Sequence, residues 1–503
     1  MVEDCTINIK LDSYIGEISP NIFGHFIEHL GRCIYPGIWV GKSSKVSDEY
    51  GFRKDTVYAL KSISAPVIRW PGGCFADYYH WRDGVGPRES RPRRLNVWWK
   101  GEESNEFGTD EFIQFCKVVG AEPYICVNVG SGCPEEALAW LEYCNLSGNT
   151  KYANMRVSNG HLEPFNVKFW GIGNESWGCG GNLDPVYYAW EYRRFATFMK
   201  RADPNIKLIA CGHITRDWNF RFMENIRDYI HLIDYLSIHY YFRNGQRYGN
   251  DVSFTDEQYY NLLYDIQHLE YQVQQAINAI NFFSEGRKDI GLIVDEWGVW
   301  HPQATVETGL YQQNTLRDAL LAAAVLNMFT KYCSKIKMAN IAQAVNVLQG
   351  VCLTEGEKTI LTPTYYVFKM YKSHMNNIAL ATESESPIIW SDEKEPASFQ
   401  RKLKPLKALD VSASLSTDKK FLVVTVVNQN LDKDYNVKVC TNLDTKFLEC
   451  DIESLNANDV RAYNDFEAKE TVKTKEETLS INRSSFEFTF ERHSVKKLTF
   501  KLA

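Results

Sequence analysis

Two glutamates occupy positions where a carboxylate could do chemistry. Glu175 follows the apolar stretch FNVKFWGI and precedes a loop with glycines at 178, 180 and 181. Glu296 lies in a second apolar stretch, GLIVDEWG, and a tryptophan stands close behind each glutamate. A charged side chain ending an interior strand is costly unless it has a partner or a function. Two facing carboxylates, one protonated and one ionised, are what hydrolysis of a glycosidic bond requires.

A structural alternative is that each glutamate pairs with a basic residue inside the fold. Arg69 ends the apolar stretch APVIRW and is available to only one of the two glutamates. We expect its partner to be the permanently ionised nucleophile, because a neighbouring cation favours the charged form of a carboxylate.

Eight apolar stretches alternate with helix-like amphipathic patterns over about 330 residues, the order and size typical of a (β/α)₈ barrel. The predicted strands cover 21–29, 65–70, 122–130, 167–175, 206–212, 234–241, 291–298 and 335–343, and the helical patterns include 109–120, 187–201, 264–281 and 315–329. A doubly wound sheet is the competing fold, but no phosphate-binding glycine fingerprint follows the first strand. We therefore predict a TIM barrel over residues 17–380.

Polar side chains end most of these predicted strands, and in such barrels the reactive face lies at the C-terminal ends of the strands. The set comprises Glu28, Arg69, Asn128, Asn174, Glu175, His239, Tyr241, Glu296 and Gln343. Any single one of these polar residues could simply belong to the loop that follows its strand. The two glutamates at the ends of the fourth and seventh strands are harder to explain in that way.

After about residue 380 the pattern changes to alternating apolar and polar residues with turns at Asn, Asp and Lys. This alternation predicts an antiparallel β-sandwich over 381–503. The stretch TINIKLD near the start alternates likewise, so residues 1–16 are expected to join the same unit.

Composition narrows the possible partners and location. The 503 residues carry 56 basic and 63 acidic side chains, a net charge of −7 without a basic block, which argues against nucleic acid and anionic membranes as partners. The longest apolar run, 319–329, is too short to cross a bilayer. Thirteen scattered cysteines and a glycosylation sequon at 174–176 favour a reducing, cytoplasmic compartment. A periplasmic or secreted location stays open if a signal peptide has been removed.

HFIEH, residues 25–29, has the H-x-x-E-H pattern of a class of zinc peptidases. That pattern binds zinc only on a helix, whereas in a strand His25 and His29 would be about 13 Å apart at ~3.3 Å per residue. We therefore expect no metal. The glycine-rich loops WPGGCF and GCGGN lack the Lys-Ser/Thr of a phosphate loop, so no cofactor is expected.

Four long segments resemble the α-L-arabinofuranosidases of glycoside hydrolase family 51: IFGHFIEHLGRCIYPGIWVG, IRWPGGCFADYYHWRDGVGPRESRPRRLNVWW, GNESWGCGG and VDEWGVW. The resemblance implies a (β/α)₈ barrel with a jelly-roll sandwich and hydrolysis with retention of configuration. It implies Glu175 as acid/base, Glu296 as nucleophile and Arg69 as the residue that steadies the nucleophile. It also implies that Glu28, Cys74, Asn174, His239, Tyr241 and Gln343 contact the arabinose, and that Trp300 and Trp98 wall the sugar site.

The same resemblance implies an exo-acting enzyme that releases terminal non-reducing α-L-arabinofuranosyl residues from arabinoxylan, arabinan or derived oligosaccharides, and a homo-oligomer, commonly a hexamer. The alternative is a related retaining hydrolase acting on β-1,4-glucan or xylosides. A non-enzymatic carbohydrate-binding protein would not need two opposed carboxylates. Cys74 stands where some family members have Asn, and with Cys179 it could form a disulfide or remain a free thiol.

Overall fold

Eight short parallel strands close into a barrel in the computed structural model, which describes residues 3–391 and 403–503. They are β1 (Gly24–Phe26), β2 (Val67–Trp70), β3 (Glu122–Val127), β4 (Phe169–Ile172), β5 (Lys207–Cys211), β6 (Tyr235–Phe242), β7 (Gly291–Val299) and β8 (Ile336–Ala342). β8 closes the barrel by pairing with β1, Asn340 opposite Gly24. All nine residues of β7 are buried, as expected for a strand covered on both faces. Each strand lies within or overlaps the corresponding predicted stretch.

Helices cover the outside of the barrel and carry the chain from one strand to the next. The α-helices are Lys54–Ser62, Thr109–Val119, Pro134–Asn145, Lys151–Ser158, Pro185–Ala202, Arg216–Ile226, Gly245–Tyr248, Asp256–Tyr264, Ile266–Ser284, Leu316–Lys331 and Pro363–Tyr371. Short 3₁₀ helices span Pro20–Phe23, Cys74–Tyr78, Trp81–Gly84, Arg88–Ser90, Arg227–Leu232 and Lys372–His374. None of the helices in the described ranges is long and apolar enough to cross a membrane.

The second unit is a nine-stranded sheet. In spatial order its strands are Lys473–Arg483, Phe447–Asn456, Ser494–Leu502, Phe421–Asn428, Leu409–Leu415, Ile378–Glu385, Glu3–Glu17, Tyr435–Thr441 and Ser485–Phe490. Neighbours are antiparallel except the N-terminal strand, which runs parallel to Tyr435–Thr441. Two-stranded ribbons pair Arg94–Leu95 with Glu102–Glu103, Cys352–Glu355 with Lys358–Leu361, and Ile388–Trp390 with Leu406–Lys407. The predicted barrel with a sandwich-like C-terminal unit that takes in the N-terminal strand is confirmed.

The helix Leu316–Lys331 explains the apolar run that the sequence shows there. Residues 316–330 are all buried because the helix lies between the barrel and the sheet. Its single asparagine, Asn327, accepts hydrogen bonds from Ser412 at 2.8 Å and Thr425 at 2.9 Å and donates to Asp410 at 2.8 Å. These buried bonds leave no unpaired side-chain polar group on Asn327 and fix the sheet against the barrel.

Candidate active site

The two predicted glutamates meet at the C-terminal end of the barrel. Glu175 follows β4, and Glu296 lies near the end of β7. One oxygen of Glu175, one oxygen of Glu296 and a ring nitrogen of His239 all lie within 4.8 Å of one another. The side chain of Glu296 is 6% exposed and that of Glu175 is 20% exposed, so solvent reaches Glu175 more easily.

Glu296 is held by two strong donors. Arg69 donates to its Oε1 at 2.6 Å, and the hydroxyl of Tyr241 donates to its Oε2 at 2.6 Å. Arg69 is fully buried and also donates to Asn174 Oδ1 at 2.6 Å. Burial opposes the charge of Arg69, but Asp295 and Glu296 raise its pKa well above the ordinary value. The predicted pairing of Arg69 with only one glutamate is what the geometry shows, and the partner is Glu296.

Asp295, which precedes the candidate nucleophile, reaches the same arginine. In a regular strand consecutive side chains point to opposite faces. The pairing of β7 with β6 shifts register between Val294 and Glu296, a bulge that brings both carboxylates to Arg69, with Asp295 Oδ2 3.4 Å from its Nε. Burial by itself would raise the pKa of Asp295, but Arg69 and His239 bring it below its ordinary value. Asp295 therefore stays ionised and neutralises buried positive charge.

His239 lies between the carboxylates. Its Nδ1 is 3.0 Å from Glu175 Oε1 and 3.6 Å from Glu296 Oε1, and its Nε2 is 3.9 Å from Asp295. Burial lowers the pKa of His239, but Glu296, Asp295 and Glu175 outweigh it and raise the pKa to about 10. The protonated ring is thus a hydrogen-bond donor and a poor metal ligand. The spacing of Glu175, His239 and Glu296 would by itself suit a metal ion.

The loop after β4 explains the glycines that follow Glu175. The backbone of Glu175 has φ 39°, and its carbonyl accepts hydrogen bonds from the N–H groups of Gly178 at 2.7 Å and Gly180 at 3.1 Å. A Cβ at Gly180 would lie 2.1 Å from the carbonyl oxygen of Asn174. The tight turn therefore requires glycine there, and it places the carboxylate of Glu175 over the end of the barrel.

Cys74 and Cys179 form a disulfide beside this carboxylate. Their Cα atoms are 5.5 Å apart although 105 residues separate them in the chain. The sulfur of Cys179 lies 3.5 Å from Glu175 Oε2 and 3.7 Å from Asn174 Nδ2. Of the two alternatives left open by the sequence, the structure contains the bond. A disulfide has no thiolate to offer, so the group Cys74–Glu175–Cys179 is no metal site despite its spacing.

Glu28 forms the opposite side of the site. Its Oε1 accepts hydrogen bonds from the backbone N–H of Phe75 at 3.1 Å and from Trp99 Nε1 at 2.9 Å. Its Oε2 accepts one from Gln343 Nε2 at 3.0 Å. Burial, followed by repulsion from Glu296, raises the pKa of Glu28 to about 7. A proton on Glu28 near neutral pH would make it a donor as well as an acceptor.

Two glycines of WPGGCF allow the close approach of these acids. A Cβ at Gly72 would lie 2.5 Å from Cγ of Glu28, and one at Gly73 would lie 2.9 Å from Oε1 of Glu296. A side chain at Gly72 would collide with Glu28, and one at Gly73 would enter the space between Glu296 and Glu28.

Aromatic side chains line one wall. Trp300 packs edge-on against Tyr241, with ring centroids 5.4 Å apart, and its Nε1 donates to the carbonyl of Ala304 at 2.8 Å. The family resemblance implies Trp98 as a second wall residue. The structure brings its neighbour Trp99 to Glu28, while Trp98 is 38% exposed.

The structure gives other roles to three residues that the sequence singled out. The Asn128 side chain closes the loop after β3, accepting hydrogen bonds from the N–H groups of residues 131 and 132. His29 lies 2.8 Å from Glu103 and accepts a hydrogen bond from Trp70, and the His25 ring packs 5.0 Å from that of Phe368. Neither histidine belongs to a group with metal-binding spacing among the described residues.

Asp77 is a structural residue of the site that the sequence reasoning missed. Its Oδ1 accepts from the N–H groups of Val129 and Gly130 at 2.9 and 3.0 Å, and its Oδ2 accepts from that of Asn174 at 2.9 Å. Burial raises the pKa of Asp77 to about 7, although the three N–H donors act to lower it. It ties the ends of β3 and β4 together and so fixes Asn174. The sequence offered one sign of this role: Asp77 is an acidic residue in the loop that begins with the glycines of WPGGCF.

Comparison with known proteins finds arabinofuranosidases by family model, by relative and by solved structure. Two family models match: the α-L-arabinofuranosidase 1 domain over residues 59–261 and the α-L-arabinofuranosidase C-terminal domain over residues 295–494. An intracellular exo-α-L-arabinofuranosidase of Bacteroides ovatus is 40% identical, covering 99% of this chain and 95% of the relative. A glycoside hydrolase family 51 arabinofuranosidase from Xanthomonas axonopodis pv. citri superposes with a TM-score of 0.92 at 34% identity, covering 100% of both chains. An arabinose complex of the Thermotoga maritima α-L-arabinofuranosidase has a TM-score of 0.88 at 36% identity, covering 99% of this chain and 100% of the other.

Proposed function

Because this chain belongs to the α-L-arabinofuranosidases of glycoside hydrolase family 51, we propose that it releases terminal non-reducing α-L-arabinofuranosyl residues by double displacement with retention of configuration. The observation that carries this proposal is the carboxylate pair. Glu175 and Glu296 have oxygens within 4.8 Å of each other. Carboxyl groups of retaining pairs are about 5–5.5 Å apart and those of inverting pairs about 6.5–9.5 Å, so two oxygens this close favour retention.

Glu296 is the nucleophile in this mechanism. Its hydrogen bonds from Arg69 and Tyr241 hold its carboxylate in one orientation. Attack on the anomeric carbon forms a glycosyl–Glu296 ester, and the bond from that carbon to the leaving oxygen breaks. Glu175, the more exposed carboxyl group, gives its proton to the leaving oxygen.

The second step reverses these roles. A water takes the place of the leaving group, and Glu175 removes its proton as the water attacks the anomeric carbon. Glu296 departs as a carboxylate, and the two inversions together give retention. The protonated His239 donates to Glu175 at 3.0 Å and offsets the negative charge of the neighbouring acids throughout.

The remaining polar groups of the site hold the sugar. Glu28 and Asn174 offer carboxyl and amide groups to arabinose hydroxyls, with Trp300 and Cys74 as parts of the wall. Support comes from Gln343, which donates to Glu28 while its Oε1 is buried without a hydrogen-bond partner among the described residues. A buried unsatisfied acceptor costs roughly 1–3 kcal/mol, and a sugar hydroxyl would satisfy it.

Broader features of the proposal follow from the family resemblance. The substrates are arabinoxylan, arabinan or oligosaccharides derived from them, and the protein works in the cytoplasm as a homo-oligomer, with a hexamer as the expected form. Support for the location comes from the relative named intracellular. The barrel domain is taken as 17–380 and the sandwich domain as 1–16 with 381–503, supported by the N-terminal strand, which ends at Glu17.

The test is hydrolysis of 4-nitrophenyl α-L-arabinofuranoside beside 4-nitrophenyl β-D-xyloside and β-1,4-glucan. We expect the arabinofuranoside to be the preferred substrate, and NMR of the first-formed product should show the α-anomer. Preference for glucan or xyloside would support the alternative reading, and a first-formed β-anomer would contradict the double displacement.

A further inference from the structure

A cavity of about 430 Å³ opens among the loops that follow β6 and β7. Its lining includes Arg243, Gly245, Trp300, Thr305, Val306 and Leu310. Arg243 directly follows β6 and Trp300 directly follows β7, so the cavity lies at the same end of the barrel as Glu175 and Glu296. Its volume falls within the ~300–1,000 Å³ of small-molecule sites.

An aromatic wall joins this cavity to the nucleophile. Trp300 lines the cavity, its ring packs against that of Tyr241 at 5.4 Å between centroids, and Tyr241 donates to Glu296 at 2.6 Å. A group bonded to an arabinose at Glu296 therefore has this cavity as a neighbouring space.

Arg243 is a charged side chain at the cavity that has no acidic partner among the described residues. Its guanidinium carbon lies 4.1 Å from the centroid of the Trp300 ring, which holds the group by a cation–π interaction. The acidic residue of the neighbouring loop, Glu307, is already paired with Lys100 at 2.7 Å. Within the described part of the chain Arg243 has no ion pair or hydrogen bond, and its side chain is exposed to solvent.

A stacked guanidinium presents its N–H donors at the edge of the plane. Those donors match a carboxylate in a two-point contact, a geometry that a lysine ammonium cannot reproduce. The ring of Trp300 meanwhile offers an apolar face to the body of a sugar or aromatic ring.

We propose that Arg243 makes this cavity select a leaving group that carries a carboxylate near the arabinosyl linkage. The inference rests on the proposed function and names the class of substrate for the same site. Two sources share this chemistry, a uronic acid on a hemicellulose chain and a carboxylated aromatic ring.

The test compares matched substrates that differ in charge and little in shape. One pair is 3-carboxyphenyl and 3-carbamoylphenyl α-L-arabinofuranoside. The other is an arabinosylated xylo-oligosaccharide with and without a glucuronic acid substituent. We expect kcat/KM to favour the acidic member by about 2- to 5-fold at low salt, the range of an exposed ion pair, and less at 0.5 M NaCl.

Arg243→Gln should bring the acid-to-neutral ratio to about 1, and Arg243→Lys should keep only part of the preference. Arg193→Gln is the matched control, because Arg193 also stacks on a tryptophan, Trp190, but on the helix Pro185–Ala202 outside the barrel. It should leave the ratio as it was.

A preference in the aryl pair alone identifies an aromatic acid, and one in the oligosaccharide pair alone identifies a uronic acid. Equal hydrolysis within both pairs, or a ratio unchanged by Arg243→Gln, would overturn the inference while leaving the arabinofuranosidase activity established. Failure to hydrolyse any of the four substrates would instead refute the proposed function, and this inference with it.

Discussion

Replacement of Glu175 by alanine separates the two proposed roles most sharply. The variant loses the proton donor for the leaving oxygen but keeps Glu296 with its donors Arg69 and Tyr241, each at 2.6 Å. Because the side chain of Glu175 is 20% exposed and alanine keeps the same Cβ at φ 39°, the fold should tolerate the change. The deficit should therefore appear in the chemistry rather than in stability.

The magnitude depends on the leaving group. General acid–base catalysis contributes about 10²–10⁴-fold, or roughly 2.7–5.5 kcal/mol of transition-state stabilisation. An arabinosylated oligosaccharide has a poor leaving group, so kcat/KM for Glu175→Ala should fall by that full factor. Dinitrophenolate leaves with little protonation, so kcat/KM for 2,4-dinitrophenyl α-L-arabinofuranoside should fall by about tenfold or less.

The assay measures both substrates with and without sodium azide, and the products are identified by NMR. Azide needs no general base, so it should speed the second step of Glu175→Ala and give a glycosyl azide of retained configuration. Glu296→Ala should be inactive on both substrates, and any azide product should be inverted because only one displacement occurs. Equal losses for Glu175→Ala on activated and natural substrates, with no azide product, would refute the assignment of roles.

Three further predictions concern residues around the two glutamates. At a pH above the Glu28 pKa of about 7, where Glu28 is ionised, Glu28→Gln should lower kcat/KM by about 10- to 150-fold, the roughly 1.5–3 kcal/mol of a charged hydrogen bond, with little change in the unfolding midpoint; full activity would show that Glu28 does not contact the sugar. Protein unfolded without reductant should titrate 11 thiols, and 13 after reduction, since Cys74 and Cys179 are joined. Cys179→Ser removes the disulfide and should lower kcat, because the Cys179 sulfur lies 3.5 Å from Glu175. A count of 13 thiols before reduction would contradict the disulfide. His239 has its pKa raised from 6.5 to about 10, so its contribution to stability is complete below pH 6.5 and is lost as pH rises through about 10. The free energy of unfolding lost in His239→Gln, measured with urea, should be larger at pH 6 than at pH 10, and the reverse order would contradict the charge assignment.

The barrel strands and the chemistry at their ends could be read from the sequence. Strands buried on both faces must be continuous apolar stretches, so GLIVDEWG and APVIRW stand out against amphipathic helices. Since parallel barrel strands all end at one face, the polar residue that closes each stretch is directed to the same site. Glu28, Arg69, Glu175, His239, Glu296 and Gln343 were found in this way. The family resemblance added their proposed roles.

Other parts of the site depend on the path of the chain in three dimensions. Period-2 alternation puts Asp295 and Glu296 on opposite faces, and only the bulge in β7 brings both to Arg69. Adjacent tryptophans at 98 and 99 are equivalent in sequence, yet the loop turns Trp99 toward Glu28. Local patterns cannot show such contacts, because they depend on where each loop crosses its neighbours.

The amino-acid sequence by itself determined the order of the barrel, the residues at the strand ends and the pair of glutamates. The tertiary structure decided which groups surround that pair: Asp77 bridging two strand ends, and the joining of Cys74 to Cys179 across 105 residues. The physical reason is the distance along the chain between the residues that interact. Strand and helix patterns arise from interactions between near neighbours in the chain. The charge state of His239, by contrast, is set by carboxylates from β4 and β7, which come together only when the barrel closes.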